Sequence, residues 1–196
     1  MLQFITQPPH LFSIAEQCQM VIEGGCAWIQ LHLPEADERT LRDELAELKP
    51  LCQESGTFLM LENNAHLAKE FGLHGVHFTE LDDFDPVRVR EELGPEAIIG
   101  VETSKPSFIL ELQNSDIDYV TLPSFLDEGK IKEIIAEARN IGCTIPIVVS
   151  GNIGIDDVPK LLSLGASGIC TGKKILESAN PVRYTEELIA VLQPNV

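Results

Sequence analysis

The chain has 196 residues, 44% of them hydrophobic and 23% charged, with a formal net charge of −17. That length fits one globular domain with a sizeable core, and the composition excludes a disordered chain. The excess of acid argues against nucleic acid or an anionic membrane as partner, and it means that any anionic ligand must be met by local positive charge or a metal.

Apolar runs are strand-sized, so none is expected to span a membrane, and Met1-Leu2-Gln3-Phe4 lacks the basic start of a signal peptide. Cys18, Cys26, Cys52, Cys143 and Cys170 form no C-x-x-C pair and no zinc spacing. An odd count without an export signal predicts reduced, mostly buried thiols and a cytoplasmic protein.

Eight strand-then-helix units follow one another along the chain. Residues 3–6 read as the first strand, and residues 11–23 carry apolar positions at helical spacing as far as Gly24-Gly25. Residues 27–33 form the second strand. Asp37 is the expected N-cap of a helix through Cys52, stopped by Gly56, and Pro50 is expected to bend or shorten it. Strand three covers 57–62, and Asn63-Asn64 caps a short helix over 65–71 that ends at Gly72. Strand four covers 75–79, and Asp85-Pro86 places a cap before a proline to start a helix reaching Gly94. Strand five, 97–103, leads to a helix over 106–113, and strand six, 118–123, to a helix over 130–140.

Two similar units close the chain. Ile147-Val148-Val149-Ser150-Gly151-Asn152-Ile153 and Gly168-Ile169-Cys170-Thr171-Gly172-Lys173-Lys174-Ile175 are apolar runs that end in small residues and give way to helical patterns. Such turns let backbone N–H groups approach an anion at the positive end of a helix. Asn180-Pro181 opens the last helix, which reaches about Leu192. The repeat predicts an α/β fold, a single compact (β/α)8 TIM barrel over residues 1–196 with a phosphate site after its last two strands. The competing doubly wound sheet is disfavoured because no G-x-G-x-x-G follows the first strand.

A barrel places its active site at the C-terminal ends of its strands. Those ends carry Gln30 and His32, Glu62 and Asn63, Glu80 and Asp82, Glu102 to Ser104, the loop 121–130, Ser150 to Asn152, and Gly172 to Lys174. Polar residues at the close of so many apolar runs point to a ligand-binding face. Glu62 and Asp82 follow adjacent strands and suit a hard cation such as Mg²⁺ bridging substrate phosphates. His32 ends a strand and is the functional candidate among the histidines, whereas His77 is expected inside the barrel with a satisfied hydrogen bond. No G-x-S-x-G, P-loop or H-E-x-x-H motif occurs, and the lysines nearest to a strand are Lys173 and Lys174.

These residues resemble a family. Leu73-His74-Gly75-Val76-His77-Phe78 with Glu80 and Asp82 is similar to the G-A-D-G-V-H-L-x-Q-x-D segment of thiamine phosphate synthases and their relatives, the thiazole tautomerases. Ile29-Gln30-Leu31-His32 resembles their V-Q-L-R, and Leu61-Glu62-Asn63-Asn64-Ala65-His66-Leu67-Ala68 resembles I-N-D-R-x-D-L-A. Ile98-Ile99-Gly100-Val101, Asp118-Tyr119-Val120 and Ile145-Pro146-Ile147-Val148 continue the match in order, over essentially the whole chain.

The resemblance implies a transferase that joins hydroxymethylpyrimidine diphosphate to thiazole phosphate and releases pyrophosphate with Mg²⁺. It implies small phosphorylated pyrimidine and thiazole partners, no nucleic acid and no membrane; the sequence leaves the oligomeric state open, with a homodimer as one candidate. Residue by residue, it implies a thiazole-phosphate grip of Ser150, Gly151, Asn152, Gly172 and Lys173. Asp82 and Glu62 are the implied metal ligands, and Gln30, His32, Asn63, Glu102 and Lys130 the catalytic group. The family arginine in V-Q-L-R is His32 here, its lysine two residues on is Pro34, and its serine after Gly-Val is Glu102. The Asn-Asp pair is Glu62-Asn63, and the loop Ser124 to Lys130 leaves Lys130 as the candidate for a family lysine. A pyrophosphate leaving group needs cations in place where charge develops, so these changes predict weak or absent synthase activity unless the carboxylates hold extra metal. The alternatives implied are a thiazole phosphate or thiamine phosphate binding protein without turnover, and a tautomerase-like isomerase.

Overall fold

A strand alternates its side chains between two faces, and each apolar run here is buried on both. In the computed structural model, which describes residues 1–193 apart from His10, Asp83 and Ser124, these runs close into one barrel. Its strands are β1 (Leu2–Ile5), β2 (Trp28–Leu31), β3 (Phe58–Glu62), β4 (Gly75–Phe78), β5 (Ile98–Glu102), β6 (Tyr119–Leu122), β7 (Ile147–Ser150) and β8 (Gly168–Thr171). Each pairs with the next, and β1 closes parallel on β8 with Gln3 opposite Cys170. This is the single (β/α)8 barrel that the repeat predicts.

Helices α1 (Ile14–Glu23), α2 (Glu38–Ser55), α3 (Ala65–Phe71), α4 (Pro86–Leu93), α5 (Pro106–Asn114), α6 (Glu128–Asn140), α7 (Val158–Ser163), α8 (Lys173–Leu176) and α9 (Pro181–Leu192) surround it. Helix α1 starts later than its apolar spacing suggests. Ser13 and Glu16 form a capping box, and the buried Gln17 amide holds the loop before it by donating to the carbonyls of Gln7 and Phe12. Pro50 does not shorten α2, which continues to Ser55 before Gly56 adopts a left-handed φ of 69°. The missing N–H costs one hydrogen bond, while Leu45, Leu48 and Cys52 on either side of Pro50 stay buried and keep the helix docked. Helix α6 begins two residues before the expected Lys130 because the Asp127 carboxylate accepts from the Lys130 N–H at 2.8 Å.

The alternation divides the interior. Outward residues such as Phe4, Ile29, Leu31, Leu59, Leu61, Val101 and Ile169 pack under the helices. Inward residues Met60, Tyr119, Val148 and Cys170, with Met1, Ile5, Trp28 and Ile98 against them, fill the barrel itself. All five cysteines are free and buried. Burial pushes the thiols of Cys26 and Cys52 up to about 11 and that of Cys170 up to about 12, so these are inert packing groups. Among the described residues, no helix is long and apolar enough to cross a membrane.

Candidate active site

Above the apolar filling, the inward positions turn polar toward the C-terminal ends of the strands. Gln3 Nε2 donates to Gln30 Oε1 at 3.1 Å and to the Tyr119 hydroxyl at 2.9 Å. Gln30 Nε2 donates to Glu62 Oε2 at 2.7 Å, and Glu62 Oε1 lies 2.8 Å from His32 Nδ1. A chain of contacts therefore runs from the middle of the barrel to its mouth, across β6, β1, β2 and β3. Beside it, His77 stacks on Tyr119 with centroids 5.5 Å apart, and its Nε2 meets Thr121 Oγ1 at 3.1 Å. Gly100 makes room for this stack. A Cβ there would lie 2.2 Å from Tyr119 Cζ and 2.5 Å from His77 Nδ1.

The electrostatics follow from these contacts. The hydrogen bond to Glu62 holds His32 above the ordinary imidazole range, against the opposing effect of burial, and the charges of Glu62 and Glu102 add to it. The Glu62 contact therefore favours the protonated form of His32. Its backbone N–H donates to Thr6 Oγ1 at 2.9 Å, which fixes it against the end of β1. Glu102 ends β5 half-buried. Burial and the Glu62 charge raise its carboxyl above the usual range, while His32 opposes them. Burial drives His77 down to about 4, so it is neutral. As expected, His77 lies inside the barrel, but only its Nε2 is satisfied among the described residues, and Nδ1 has no partner.

The two expected metal ligands are presented differently. Glu62 spends both carboxylate oxygens on Gln30 and His32 and lines a cavity with Leu31, Pro34 and Asn64. Asp82 lines the adjoining cavity, with Phe78, Phe84 and Asp85, and the two cavities share Asn63 and Glu80. No group of three His, Cys, Asp or Glu side chains converges as a metal cage among the described residues. The cause is the strand period, since Glu62 is the inward residue of β3 and Asn63 leaves the strand in a left-handed conformation with φ of 57°. Asp82 accepts no hydrogen bond among the described residues, so it alone of the pair keeps a carboxylate available to a cation that is also held by substrate oxygens.

Asn63 is spent on structure. Its Oδ1 accepts from the backbone N–H groups of Thr79 and Glu80 at 2.8 and 3.2 Å, and its Nδ2 donates to Thr79 Oγ1 at 2.9 Å. It clamps the β4 loop that carries Asp82. Lys130 lies in the first turn of α6, exposed and 2.9 Å from Glu133 Oε1. Ser124, at the start of the same loop, lies outside the described residues.

The glycine corner is divided as well. Ser150, Gly151 and Asn152 line a cavity of about 260 Å³ together with Glu128 and Asp157. Lys173 lines a separate cavity of about 510 Å³ with Gln7, Leu11, Phe12 and Leu176. The Gly151 N–H donates to the Cys170 carbonyl at 3.0 Å, which extends the ladder between β7 and β8. At Gly172 the backbone of β1 comes so close that a Cβ would lie 2.0 Å from the Ile5 oxygen, so glycine is required.

The family model for thiamine monophosphate synthase (TMP-TENI) matches residues 2–175. The chain belongs to this family. A thiamine-phosphate synthase from Bacteroides fragilis is 30% identical, with 97% of this chain and 98% of the relative aligned. One from Bacteroides thetaiotaomicron is 29% identical over 96% of this chain and 95% of its own. The fold matches that of a thiamine phosphate pyrophosphorylase from Pyrococcus furiosus with a TM-score of 0.81 at 22% identity, covering 98% of this chain and 95% of that one.

Within this thiamine monophosphate synthase family member, the structure brings Gln30, His32 and Glu62 into one connected group and directs Glu102 to the same mouth. It leaves Lys130 on a helix surface and Asn63 in a clamp. Gln3, Tyr119 and Thr79 complete the network although the sequence reading passed over them. The signal was available: inward alternation from Gln30 and Glu62 across neighbouring strands selects Gln3 on β1 and Tyr119 on β6.

Proposed function

We propose that this chain is a thiamine phosphate synthase-like transferase that joins hydroxymethylpyrimidine diphosphate to thiazole phosphate in thiamine biosynthesis. The observation that carries this reading is the family match over residues 2–175, joined to relatives of that name along nearly the full chain. In the reaction, the bond between the pyrimidine methylene carbon and the diphosphate oxygen breaks, and its electron pair leaves with pyrophosphate. The thiazole nitrogen then donates its lone pair to the methylene carbon.

His32, held protonated by Glu62, faces the negative charge that gathers on the leaving group. Gln30 and Gln3 fix Glu62, so the imidazole is oriented before substrate arrives. Asp82 is the residue suited to hold Mg²⁺ together with diphosphate oxygens, and that ion would neutralise charge on the departing pyrophosphate. The resemblance assigns Ser150, Asn152 and Lys173 to the thiazole phosphate. The free, buried thiols support a cytoplasmic protein.

Calorimetric titration of the purified protein with each substrate, with and without Mg²⁺, tests the reading. Thiazole-phosphate binding and Mg²⁺-dependent diphosphate binding are expected. Thiazole-phosphate binding with no diphosphate binding under either condition would contradict it.

A further inference from the structure

Gln30, which the resemblance places in the catalytic group, has its amide engaged at both ends. It is 1% exposed, its oxygen accepts from Gln3, and its nitrogen donates to Glu62. Glu102 is in the reverse situation. Gly100 faces inward against Tyr119 and His77, so the period of two directs Glu102 inward as well, one layer higher at the mouth. Its register neighbour Thr121 has its hydroxyl at His77. Among the described residues nothing donates to the Glu102 carboxylate.

A half-buried carboxyl without donors is costly until a ligand supplies them. An aminopyrimidine carries the complement, an exocyclic N–H beside a ring nitrogen, and can meet a carboxyl group through two parallel hydrogen bonds. The raised carboxyl of Glu102 suits this, because its protonated form offers a donor to the ring nitrogen and an acceptor to the amine. We propose that Glu102 reads the aminopyrimidine edge of the diphosphate substrate. This rests on the transferase reading above. The two ends of the substrate then meet different groups: the amino edge meets Glu102 and the diphosphate meets His32.

The test compares wild type, Glu102→Ala and Glu102→Gln. Each is given the aminopyrimidine diphosphate and the analogue with oxygen in place of the amino group, at saturating thiazole phosphate. Wild type is expected to favour the amino substrate in Kd by roughly tenfold to a hundredfold, the worth of two parallel hydrogen bonds. Glu102→Ala is expected to lose that preference. Glu102→Gln, whose amide offers an acceptor beside a donor, is expected to keep the amino substrate within about tenfold of wild type. KM for thiazole phosphate stays unchanged in both variants, and their urea midpoints do not fall, since each removes a carboxylate that burial already disfavours.

A preference that survives in Glu102→Ala overturns the assignment and leaves the transferase reading standing. An equal loss toward both pyrimidine diphosphates, or a raised KM for thiazole phosphate, does the same. Wild type that neither binds nor turns over either pyrimidine diphosphate removes the transferase reading and the assignment together.

Discussion

Glu62 is the side chain on which the polar mouth converges, holding Gln30 at 2.7 Å and His32 at 2.8 Å. Replacing it by alanine leaves His32 without its acceptor and closer to the charge of Glu102 alone. The His32 titration midpoint, followed by NMR, is therefore expected to fall toward the unperturbed value near 6.5. The sign for stability follows. A histidine raised in the folded state contributes stability that is full below the unfolded pKa and lost as pH rises through the folded one. His77 acts in the opposite direction. Lowered from 6.5 to about 4 by burial, it favours folding when neutral, and that contribution disappears as pH falls from about 6.5 to 4. The linked free energy is about 3 kcal/mol, an order-of-magnitude figure. A His77→Gln variant should show a shallower loss of stability over that acid window in urea titrations, and an unchanged slope would rule out this role. Of these residues, Gln30, His32 and Glu62 were legible as polar strand ends, and Glu102 likewise. Their bonding was not, because an ion pair such as that between His32 and Glu62 joins residues distant in the chain, and only barrel closure brings them together.

At the scale of elements, strand and helix order was readable from apolar runs and glycine stops. The boundaries moved where local side chains overrode periodicity, as Gln17 does before α1 and Asp127 does before α6. The left-handed exit at Asn63 was invisible in the sequence, and it turned an expected catalytic residue into a clamp. Arg90 is the corresponding clamp at the other end of the barrel. It lies on α4 and donates to the carbonyls of Ala97 and Asp116 at 2.5 and 2.6 Å and to Asp118 Oδ2 at 3.0 Å. Asp118 in turn accepts from the Ile99 N–H at 2.7 Å. With its side chain only 14% exposed, Arg90 ties α4 to the starts of β5 and β6. Arg90→Ala is expected to cost about 2–4 kcal/mol in urea unfolding, because it strands several acceptors. Arg90→Lys should recover little, since an ammonium cannot span the same fork. Gly100→Ala should cost at least about 1–3 kcal/mol through overpacking against Tyr119 and His77.

The whole molecule carries a net charge of −17 and is proposed to act on two phosphorylated substrates. Long-range repulsion therefore opposes their approach, and the local cations His32 and Lys173 act within a Debye length. Salt screens the long-range part first. We expect kcat/KM to rise with ionic strength between about 0.01 and 0.15 M, opposite to the usual trend for steered anionic ligands. A steep fall over that range would mean that the mouth attracts phosphate on balance.

Turnover with labelled hydroxymethylpyrimidine diphosphate, thiazole phosphate and Mg²⁺, with thiamine phosphate and pyrophosphate both quantified, decides whether the protein is a synthase. The two products should appear in equal amounts, with the rate reduced in Glu62→Ala. Pyrophosphate released without thiamine phosphate, or no product at all from a protein that binds both substrates, would contradict it.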